Sequence, residues 1–420
     1  MDNLLIFISV IFLLIVAFTL LNEKLTKLPN EIALLLFSLI IGIILSVLSY
    51  KNVLTLSTSF IGMLNKYSID KILLDVLLCF MLFTGASELK LPELVNNFKP
   101  ICLLAFLTTV ITSIIYGLLF WGITSILGMR IGFTLCVLLG SIVSPTDPIA
   151  ATGILNKLGL SKNVTAIMEG ESLFNDGTGV ALFIFLRELY MDTRTSNFFV
   201  VMFKELFGAL VVGFLISFVF FMLIKATTDP IKHIIISMLS VTLAYSICEE
   251  FGFSGVIASV VCGIYYSTKM DQYRATHTDI DPREYYKDFW KVVDTLFNYI
   301  LYVLIGLSFV FVSKIPHLII VGIAAILLNI GARYVGVYIS TAACRQLPDG
   351  YKIRPFAILM TWGGLKGGLC LALAMSASEF LPDTFYNFIL YVTYITIIFT
   401  TLVQGLSVGK LYNWIKAKYF

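Results

Sequence analysis

The sequence predicts an all-α polytopic membrane protein with about thirteen transmembrane helices, arranged as inverted repeats with two broken helices that cross. Three observations support this fold class: the composition, a succession of apolar runs, and two runs interrupted by helix-breaking residues. Of the 420 residues, 59% are hydrophobic and 13% are charged, against roughly 45–50% and 25% in soluble domains. The mean hydropathy of +0.94 fits a chain that is surrounded by lipid.

The apolar runs define the predicted helices, because a run of about 20 residues spans the hydrocarbon core. The first run follows Met1-Asp2-Asn3, which carries no basic residue, and no small-residue cleavage site comes after it. We therefore predict a retained span rather than a signal peptide. The connections are short, so we expect residues 1–420 to form a single transmembrane domain without a soluble domain. The predicted spans are 4–21, 30–49, 71–88, 100–127, 131–156, 163–186, 198–224, 233–248, 252–267, 288–312, 316–343, 355–377 and 385–408.

Basic residues in the connections predict the orientation, since cytoplasmic loops are enriched in Lys and Arg. Of the 29 Lys and Arg residues, three fall well within spans, while Lys71 and Lys291, at or near the starts of their spans, are counted with the adjoining loops. If the N-terminus is outside, nineteen of the others lie in inside loops and seven in outside loops. This bias predicts an external N-terminus and, with an odd number of spans, a cytoplasmic C-terminus.

Composition and motifs exclude several function classes. The net charge of +3 is too small to suggest nucleic acid as a partner. The seven cysteines lie in or beside apolar spans without C-x-x-C spacing, so we expect them to pack as small hydrophobic residues. The three histidines lie near predicted loops and form no cluster for a transition metal. The phosphate-binding pattern G-x-x-x-x-G-K-[ST] does not occur either, and we predict no cofactor.

Spans five and twelve contain residues that an uninterrupted helix avoids. Pro145 and Pro148 flank Asp147 in span five, and four glycines surround Lys366 in the stretch 363–368 of span twelve. Proline removes a backbone donor and glycine favours non-helical geometry, so both spans are predicted to be broken. The two spans are seven apart and therefore run in opposite directions. This predicts inverted repeats, with spans one to six matching spans eight to thirteen, and a substrate site at the breaks.

The charged residues at the two breaks have complementary roles. A broken helix exposes partial positive charge at an N-terminus and partial negative charge at a C-terminus. Asp147 and Lys366 can neutralise these ends. A carboxylate at this depth costs ~2.5–3.5 kcal/mol on insertion scales, which indicates a functional role. The alternative for Lys366 is a solvated lysine in a loop between two shorter segments.

Span six carries the densest polar face. Ser172 and Asp176 are four residues apart and share one face of a helix, so a hydroxyl and a carboxylate can both reach one ion. Glu171 and Asn175 share the adjacent face by the same spacing. Oxygen ligands suit a hard cation such as sodium. The structural alternative is that these groups only tie helices together, and it stays open above all for Asn175.

Further charges lie in or beside the spans. Arg333 in span eleven needs an acidic partner at that depth, and we expect Glu171 to pair with it for structural reasons. Glu88 ends span three and is either an interfacial residue or part of the site. Three further acids are not expected to belong to the site, two because they are solvated near span starts and one because it lies near the beginning of span six: Asp75, Asp294 and Glu169.

Three motifs resemble those of the monovalent cation/proton antiporter-1 family of sodium/proton exchangers. They are residues 146–148 (Thr-Asp-Pro), 170–176 (Gly-Glu-Ser-Leu-Phe-Asn-Asp) and 362–367 (Trp-Gly-Gly-Leu-Lys-Gly), on spans five, six and twelve. The resemblance in spacing and hydropathy extends over nearly the whole chain. It implies a homodimer in which spans one to three and eight to ten form a dimerisation part. Spans four to six and eleven to thirteen would form an ion-binding core that moves to give alternating access.

The resemblance also implies roles for individual residues. Asp176 matches the exchange carboxylate, and Ser172, the Thr146 backbone and Glu88 match residues that help to hold sodium. Asp147 matches the charged residue at the break, and the charges predicted to pair between spans six and eleven match an internal ion pair. The lysine at the second break stands where many relatives have arginine. Lysine keeps the charge but lacks the planar fork, so a bidentate contact there is not expected.

Together, these observations predict a secondary antiporter that exchanges sodium or lithium for protons across the plasma membrane without ATP. The two ions compete for Asp176. Exchange is predicted to be electroneutral, because Asn175 cannot titrate and occupies the position where charge-moving antiporters commonly carry a second acid. A potassium/proton antiporter is the main alternative, since oxygen ligands do not reveal the size of a cavity. A cation channel and an intramembrane aspartyl protease, suggested by residues 176–179 (Asp-Gly-Thr-Gly), are the alternatives from other classes.

Overall fold

The structure, a computed structural model, describes residues 4–50, 72–147, 149–193, 197–274, 282–312, 317–344 and 347–419. Within these ranges the regular structure is helical, apart from one antiparallel bridge between Asp147 and Leu365. Each of the thirteen predicted spans corresponds to a helix or to a pair of half-helices, which confirms the predicted fold class. Pro148 and the first residues of predicted spans three and eleven, Lys71 and Pro316, lie outside the described residues.

The helices are numbered α1 to α13 in chain order, and the two broken ones are divided into halves a and b. Their bounds are Leu4–Leu21 (α1), Asn30–Tyr50 (α2), 72–88 (α3), Phe98–Ile126 (α4), Phe133–Val143 (α5a), Ile149–Lys157 (α5b), Lys162–Tyr190 (α6), Phe198–Lys225 (α7), Pro230–Glu250 (α8), Gly255–Arg274 (α9), Pro282–Leu307 (α10), Leu318–Ala343 (α11), Ile353–Gly363 (α12a), Gly368–Ser376 (α12b) and Asp383–Tyr419 (α13). A short helix, Leu91–Asn96, connects α3 with α4.

By length and composition, eight of the described helices are long and apolar enough to cross a membrane. The broken helices α5 and α12 divide their apolar stretches into halves of 9 or 11 residues. Helix α6 is 29 residues long, yet it carries Glu169, Glu171 and Asp176 close together. The breaks in α5 and α12 and the charges in α6 shorten their apolar stretches, so these three helices are not among the eight. The same breaks and charges form the predicted site.

Side-chain caps set where several helices begin. Ser161, Asn197 and Asp229 precede α6, α7 and α8, and each accepts a hydrogen bond at 3.0–3.3 Å from a backbone N–H in the first turn. Such caps satisfy donors that the first turn of a helix leaves without an internal partner. Pro230 follows Asp229 at the start of α8, where the missing N–H of proline is harmless.

Helix packing separates two groups. In the first group, α2 packs against α10, and α3 packs against α9 and α10. The ring of Phe83 on α3 lies 4.6 Å from that of Trp290 on α10 and 5.9 Å from that of Tyr266 on α9, between centroids. In the second group, α4 packs against α5a and α11, and α12b packs against α13. Helix α8 packs against α9 and belongs to the first group, and α6 packs against α5a and belongs to the second. Helix α7 lies against α8 and α9 and also contacts α6, so it connects the two groups.

Candidate functional site

The two broken helices cross at their breaks. Helix α5a ends at Val143 and α5b begins at Ile149, while α12a ends at Gly363 and α12b begins at Gly368. Between them, the Asp147 N–H donates a hydrogen bond of 2.9 Å to the carbonyl of Leu365. Four half-helix ends therefore meet at one place in the second group of helices, and two of them are N-termini and two are C-termini.

Lys366 binds the C-terminal end of α5a. Its Nζ donates to the carbonyl oxygens of Ser144 at 3.0 Å and Pro145 at 3.1 Å, where the aligned peptide dipoles concentrate negative charge. Its backbone N–H donates to Thr400 Oγ1 at 3.1 Å, and Thr400 begins a π-helical turn of α13, Thr400–Gln404. The side chain is 1% exposed, so Lys366 is not a solvated loop lysine.

Asp147 lies at the N-terminal end of α5b, across the crossing from the α5a end that Lys366 binds. Its Oδ1 accepts a hydrogen bond of 3.0 Å from the N–H of Ile149, the first residue of α5b. Its Oδ2 accepts one of 3.4 Å from the hydroxyl of Tyr302 on α10. Gly367, just before α12b, lies so close that a Cβ there would be 2.8 Å from Asp147 Oδ2. The carboxylate thus lies beside two helix N-termini, which carry partial positive charge.

Helix α6 holds the unwound segment of α5 through Thr146. The Ser172 hydroxyl donates to the Thr146 carbonyl oxygen. Asn175 donates from Nδ2 to Thr146 Oγ1 at 2.8 Å and accepts at Oδ1 from the Thr146 N–H at 3.3 Å. Asn175 is fully buried and does not line the cavity described next. The structure therefore gives it a tying contact and does not bring it to the predicted ion position.

A cavity of about 310 Å³ lies between the two groups of helices. Asp176, Ser172, Thr146 and Asp147 all contribute to its wall. Among the described residues, no hydrogen-bond donor binds the Asp176 carboxylate, which is 9% exposed. Its oxygen atoms are therefore available to an ion that enters the cavity. With Glu88, which also lines the cavity, five of the six residues predicted for the cation and proton site therefore share one space.

The outer part of the cavity is acidic. Glu88 at the end of α3, Glu169 near the start of α6 and Asp294 on α10 line it, together with Asn156 of α5b. Glu88 and Asn156 are exposed. Glu88 and Asn156 lie at helix ends, on the side that the distribution of basic residues predicts to be cytoplasmic, and Glu169 lies about two turns into α6 from the same side. The five acidic side chains of the cavity have no basic side chain beside them among its described lining residues, so its chemistry favours a cation.

Glu171 and Arg333 form an ion pair behind the crossing. Arg333 Nη2 lies 2.9 Å from Glu171 Oε1, and the two side chains are 3% and 2% exposed. The same Nη2 donates to the carbonyl of Met360 at 3.2 Å. The pair therefore links α6, α11 and α12a, and it lies outside the lining of the cavity.

Asp294 and Glu169, which the sequence does not predict as site residues, belong to the cavity wall. Asp294 is not a freely solvated residue: its Oδ1 accepts from Thr84 Oγ1 at 2.7 Å and its Oδ2 from Asn298 Nδ2 at 3.1 Å. Glu169 lines the same cavity. The available signal was the spacing of Asp294 and Asn298, four residues apart in an apolar run. The side chain of Asp75 lies outside the described set.

Comparison with known families and proteins gives a consistent result. Residues 7–414 match the family model described as "Sodium/hydrogen exchanger, transmembrane". The chain is 29% identical over 412 residues to a Na(+)/H(+) antiporter NhaP of Pseudomonas aeruginosa, covering 95% of this chain and 94% of that protein. It is 32% identical over 421 residues to a Na(+)/H(+) antiporter NhaH of Halobacillus aidingensis, covering 96% of each.

Solved structures support the same fold. The structure of the sodium proton antiporter MjNhaP1 from Methanocaldococcus jannaschii at pH 8 superimposes with a TM-score of 0.76. The match covers 99% of each chain at 21% sequence identity. At that identity the likeness concerns the fold, and it includes the whole described arrangement of helices.

Proposed function

The chain belongs to the sodium/hydrogen exchanger family, and from this premise we propose that it exchanges sodium for protons by competition of the two ions for Asp176. It is a multi-pass membrane transporter and not an enzyme. The observation that carries the proposal is the Asp176 carboxylate, which faces an acidic cavity without a donor among the described residues. A carboxylate that a basic side chain already neutralises, as Arg333 neutralises Glu171, would have little charge to offer a cation.

The neighbours of Asp176 support sodium as the cation. Ser172 and Thr146 line the same cavity and supply hydroxyl and carbonyl oxygens, which are hard ligands of the kind that alkali cations bind. The Thr146 carbonyl accepts one hydrogen bond from Ser172, and a carbonyl oxygen has a second lone pair for an ion. Glu88, farther out, supplies a further carboxylate. No cofactor is needed for such exchange, and the transported ions are the substrates.

Charge balance explains how the two ions are coupled. Moving an unoccupied Asp176 carboxylate through the membrane interior would carry an isolated charge at a cost of at least ~2.5–3.5 kcal/mol. Either a proton or a sodium ion removes that charge, so the core crosses readily only when one of them is bound. Because both ions need the same oxygens, each displaces the other, and exchange needs no ATP.

We propose the two groups of helices as the moving parts. Helices α4–α6 and α11–α13 would form the core, and α1–α3 and α8–α10 a dimerisation part that holds two copies together. The position of the cavity between the groups supports this division. The contact of 3.4 Å between the Tyr302 hydroxyl on α10 and Asp147 in the core would break when the core moves. We place the homodimer in the plasma membrane, with its N-terminus outside and its C-terminus in the cytoplasm.

Purified protein in liposomes with an internal pH-sensitive dye tests the proposal. Sodium, lithium and potassium are titrated separately against an imposed pH gradient. We expect sodium and lithium to drive proton flux, with the Asp176→Asn variant as the inactive control. A potassium response as large as the sodium response would favour the potassium/proton alternative. Proton flux without any alkali cation, or ion conductance far above carrier turnover, would overturn the exchange mechanism.

A further inference from the structure

We propose that Asp294 on α10 is a second cation-binding residue of the exchange cycle, which receives sodium from the side to which the cavity opens and passes it to Asp176. The proposal rests on the exchange function argued above and adds a residue to it. Asp294 and Asp176 line the same cavity of about 310 Å³ from opposite groups of helices. A cation that travels between water and Asp176 on this side therefore passes the wall that contains Asp294.

The Asp294 carboxylate is held in a fixed orientation. Thr84 on α3 donates to its Oδ1 at 2.7 Å, and Asn298, one turn later on α10, donates to its Oδ2 at 3.1 Å. Asn298 is 2% exposed, and its own position is fixed by a second bond of 3.0 Å to the Asp294 carbonyl. Each carboxylate oxygen has about two lone-pair positions, so one on each oxygen stays available to a cation. A ligand that is already oriented loses little entropy on binding.

A purely structural role does not account for this residue. Asp294 lies well inside α10, which begins at Pro282, so it does not cap a helix N-terminus. Among the described residues, no basic side chain forms an ion pair with it; the buried pair of the described set is Glu171 with Arg333. Three other acids that line the same cavity, Glu88, Glu169 and Asp147, add to its negative potential. A cleft lined by one sign of charge concentrates counter-ions and raises their on-rate by about 10- to 1,000-fold.

Asp294 differs from the other two acids of the outer cavity. Among the described residues, no hydrogen-bond donor contacts the carboxylates of Glu88 or Glu169, whereas that of Asp294 has two donors. Glu169 lies on α6 and travels with Asp176, while Asp294 lies on α10, outside the proposed core. When the core turns to the other side of the membrane, Asp294 stays behind. Its effect on sodium must therefore be confined to one face of the membrane.

This one-sidedness is the basis of the test. Sodium-dependent proton flux is measured in everted and in right-side-out membrane vesicles, so that sodium is offered to each face in turn. For Asp294→Asn we expect the KM for sodium to rise about five- to tenfold from one face, with the maximal rate within about twofold of the native value. From the other face, KM is expected to be unchanged. The control is Asp288→Asn, the same substitution at an exposed position on the same helix.

Two further variants separate ion binding from folding. Asp294→Glu keeps the charge and is expected to recover most of the native KM. Thr84→Val removes the hydroxyl donor and is expected to raise KM from the same face by a smaller factor, even if Asp294→Asn does not assemble. An unchanged KM from both faces, or an equal loss of maximal rate from both, contradicts the proposal. If the native protein itself shows no sodium-dependent proton flux, the proposed function fails, which is a separate result from an unaffected Asp294 variant.

Discussion

The crossing of the two broken helices has a cavity side and an interior side, and the two sides hold charge differently. On the cavity side, Asp176 faces an acidic space without a donor among the described residues. On the interior side, Lys366 binds two carbonyl oxygens, and Arg333 binds Glu171 at 2.9 Å. Burial alone therefore does not identify a transport residue. Lys366 and the pair of Glu171 and Arg333 are neutralised by partners of opposite charge or dipole and stabilise the crossing, whereas Asp176 has no such side-chain partner among the described residues and is available to an ion.

Asp147 belongs to both sides. Its Oδ1 accepts from the Ile149 N–H, as a structural cap does, while its side chain also lines the cavity. It balances Lys366 across the crossing: the carboxylate lies at helix N-termini and the ammonium at a helix C-terminus, which are the favourable ends for each sign. The two breaks therefore share one electrostatic arrangement, although only the acidic one contacts the ion pathway.

The largest expected effect is on the cavity side. Asp176→Asn should abolish sodium-dependent proton flux in liposomes, because an amide neither exchanges a proton nor supplies a negative charge. The melting temperature in detergent should not fall, since no hydrogen-bond partner among the described residues loses its acceptor. The exposed Asp288→Asn variant should keep native flux. Sodium-dependent proton flux retained in Asp176→Asn would show that the carboxylate on the cavity side is not the transport residue.

On the interior side, we expect the opposite pattern for the pair of Glu171 and Arg333. Replacing either residue by Gln leaves the other buried charge unpaired, at a cost of about 3–5 kcal/mol. Replacing both removes both charges and should cost less than the sum of the single changes. Melting temperatures of the two single variants and the double variant in detergent measure this coupling. Simple additivity would show that the pair does not act as a unit.

Lys366 should give an intermediate effect on stability. Lys366→Met leaves the carbonyl groups of Ser144 and Pro145 without their donor, and a hydrogen bond to a charged group contributes about 1.5–3 kcal/mol. We expect a lower melting temperature and slower exchange, while Lys410→Met, at an exposed position of α13, should change neither. Lys366→Arg keeps the charge and should retain most of the activity. An Arg variant as impaired as the Met variant would mean that shape and not charge matters at this break.

A smaller effect is expected where the two sides touch. In Gly367→Ala, the new Cβ would lie 2.7 Å from Asp147 Cβ and 2.8 Å from its Oδ2, which is too close without a shift of the backbone. Overpacking of this kind costs about 1–3 kcal/mol, and the displaced carboxylate should slow exchange several-fold. The control is Gly331→Ala on α11, where an added Cβ meets nothing within 4 Å. Equal exchange rates and melting temperatures in the two variants would show that the close contact between Gly367 and Asp147 is not required.

Sequence periodicity predicted the spans, both breaks and the face of α6 that carries Ser172 and Asp176, because these depend on local spacing. It did not predict that Asn175 turns from the cavity to Thr146, or that Asp294 turns towards the cavity. Both depend on how a helix is rotated about its axis, and that rotation follows from its packing partners. For α10 the partners with the most extensive packing are α2 and α3, which are distant in the sequence and give no local signal.

The last prediction is the absence of an effect: the voltage across the membrane should not shift the final pH gradient. If Asp176 alone carries either one proton or one sodium ion, the loaded core has the same charge in both directions. A potential of 100 mV, which acts on one uncompensated charge with ~2.3 kcal/mol, then does no net work on the cycle. Asn175, held by Thr146 at 2.8 Å, cannot add a titrating group. Asp147 is the competing carrier, since it also lies in the core and lines the cavity.

Liposomes whose membrane voltage is clamped with potassium and valinomycin, with sodium as the substrate, show whether Asp147 moves a proton in addition to the ion on Asp176. A final pH gradient that is independent of the imposed voltage means that one carboxylate exchanges its ion in each cycle. A gradient that follows the voltage means that a second proton crosses with the core. Asp147→Asn would then be expected to remove the voltage dependence if Asp147 carries that proton. In that case Asp147 would act with Asp176 as a transport residue. The charges with a purely structural role would then be those of the interior side, Lys366, Arg333 and Glu171.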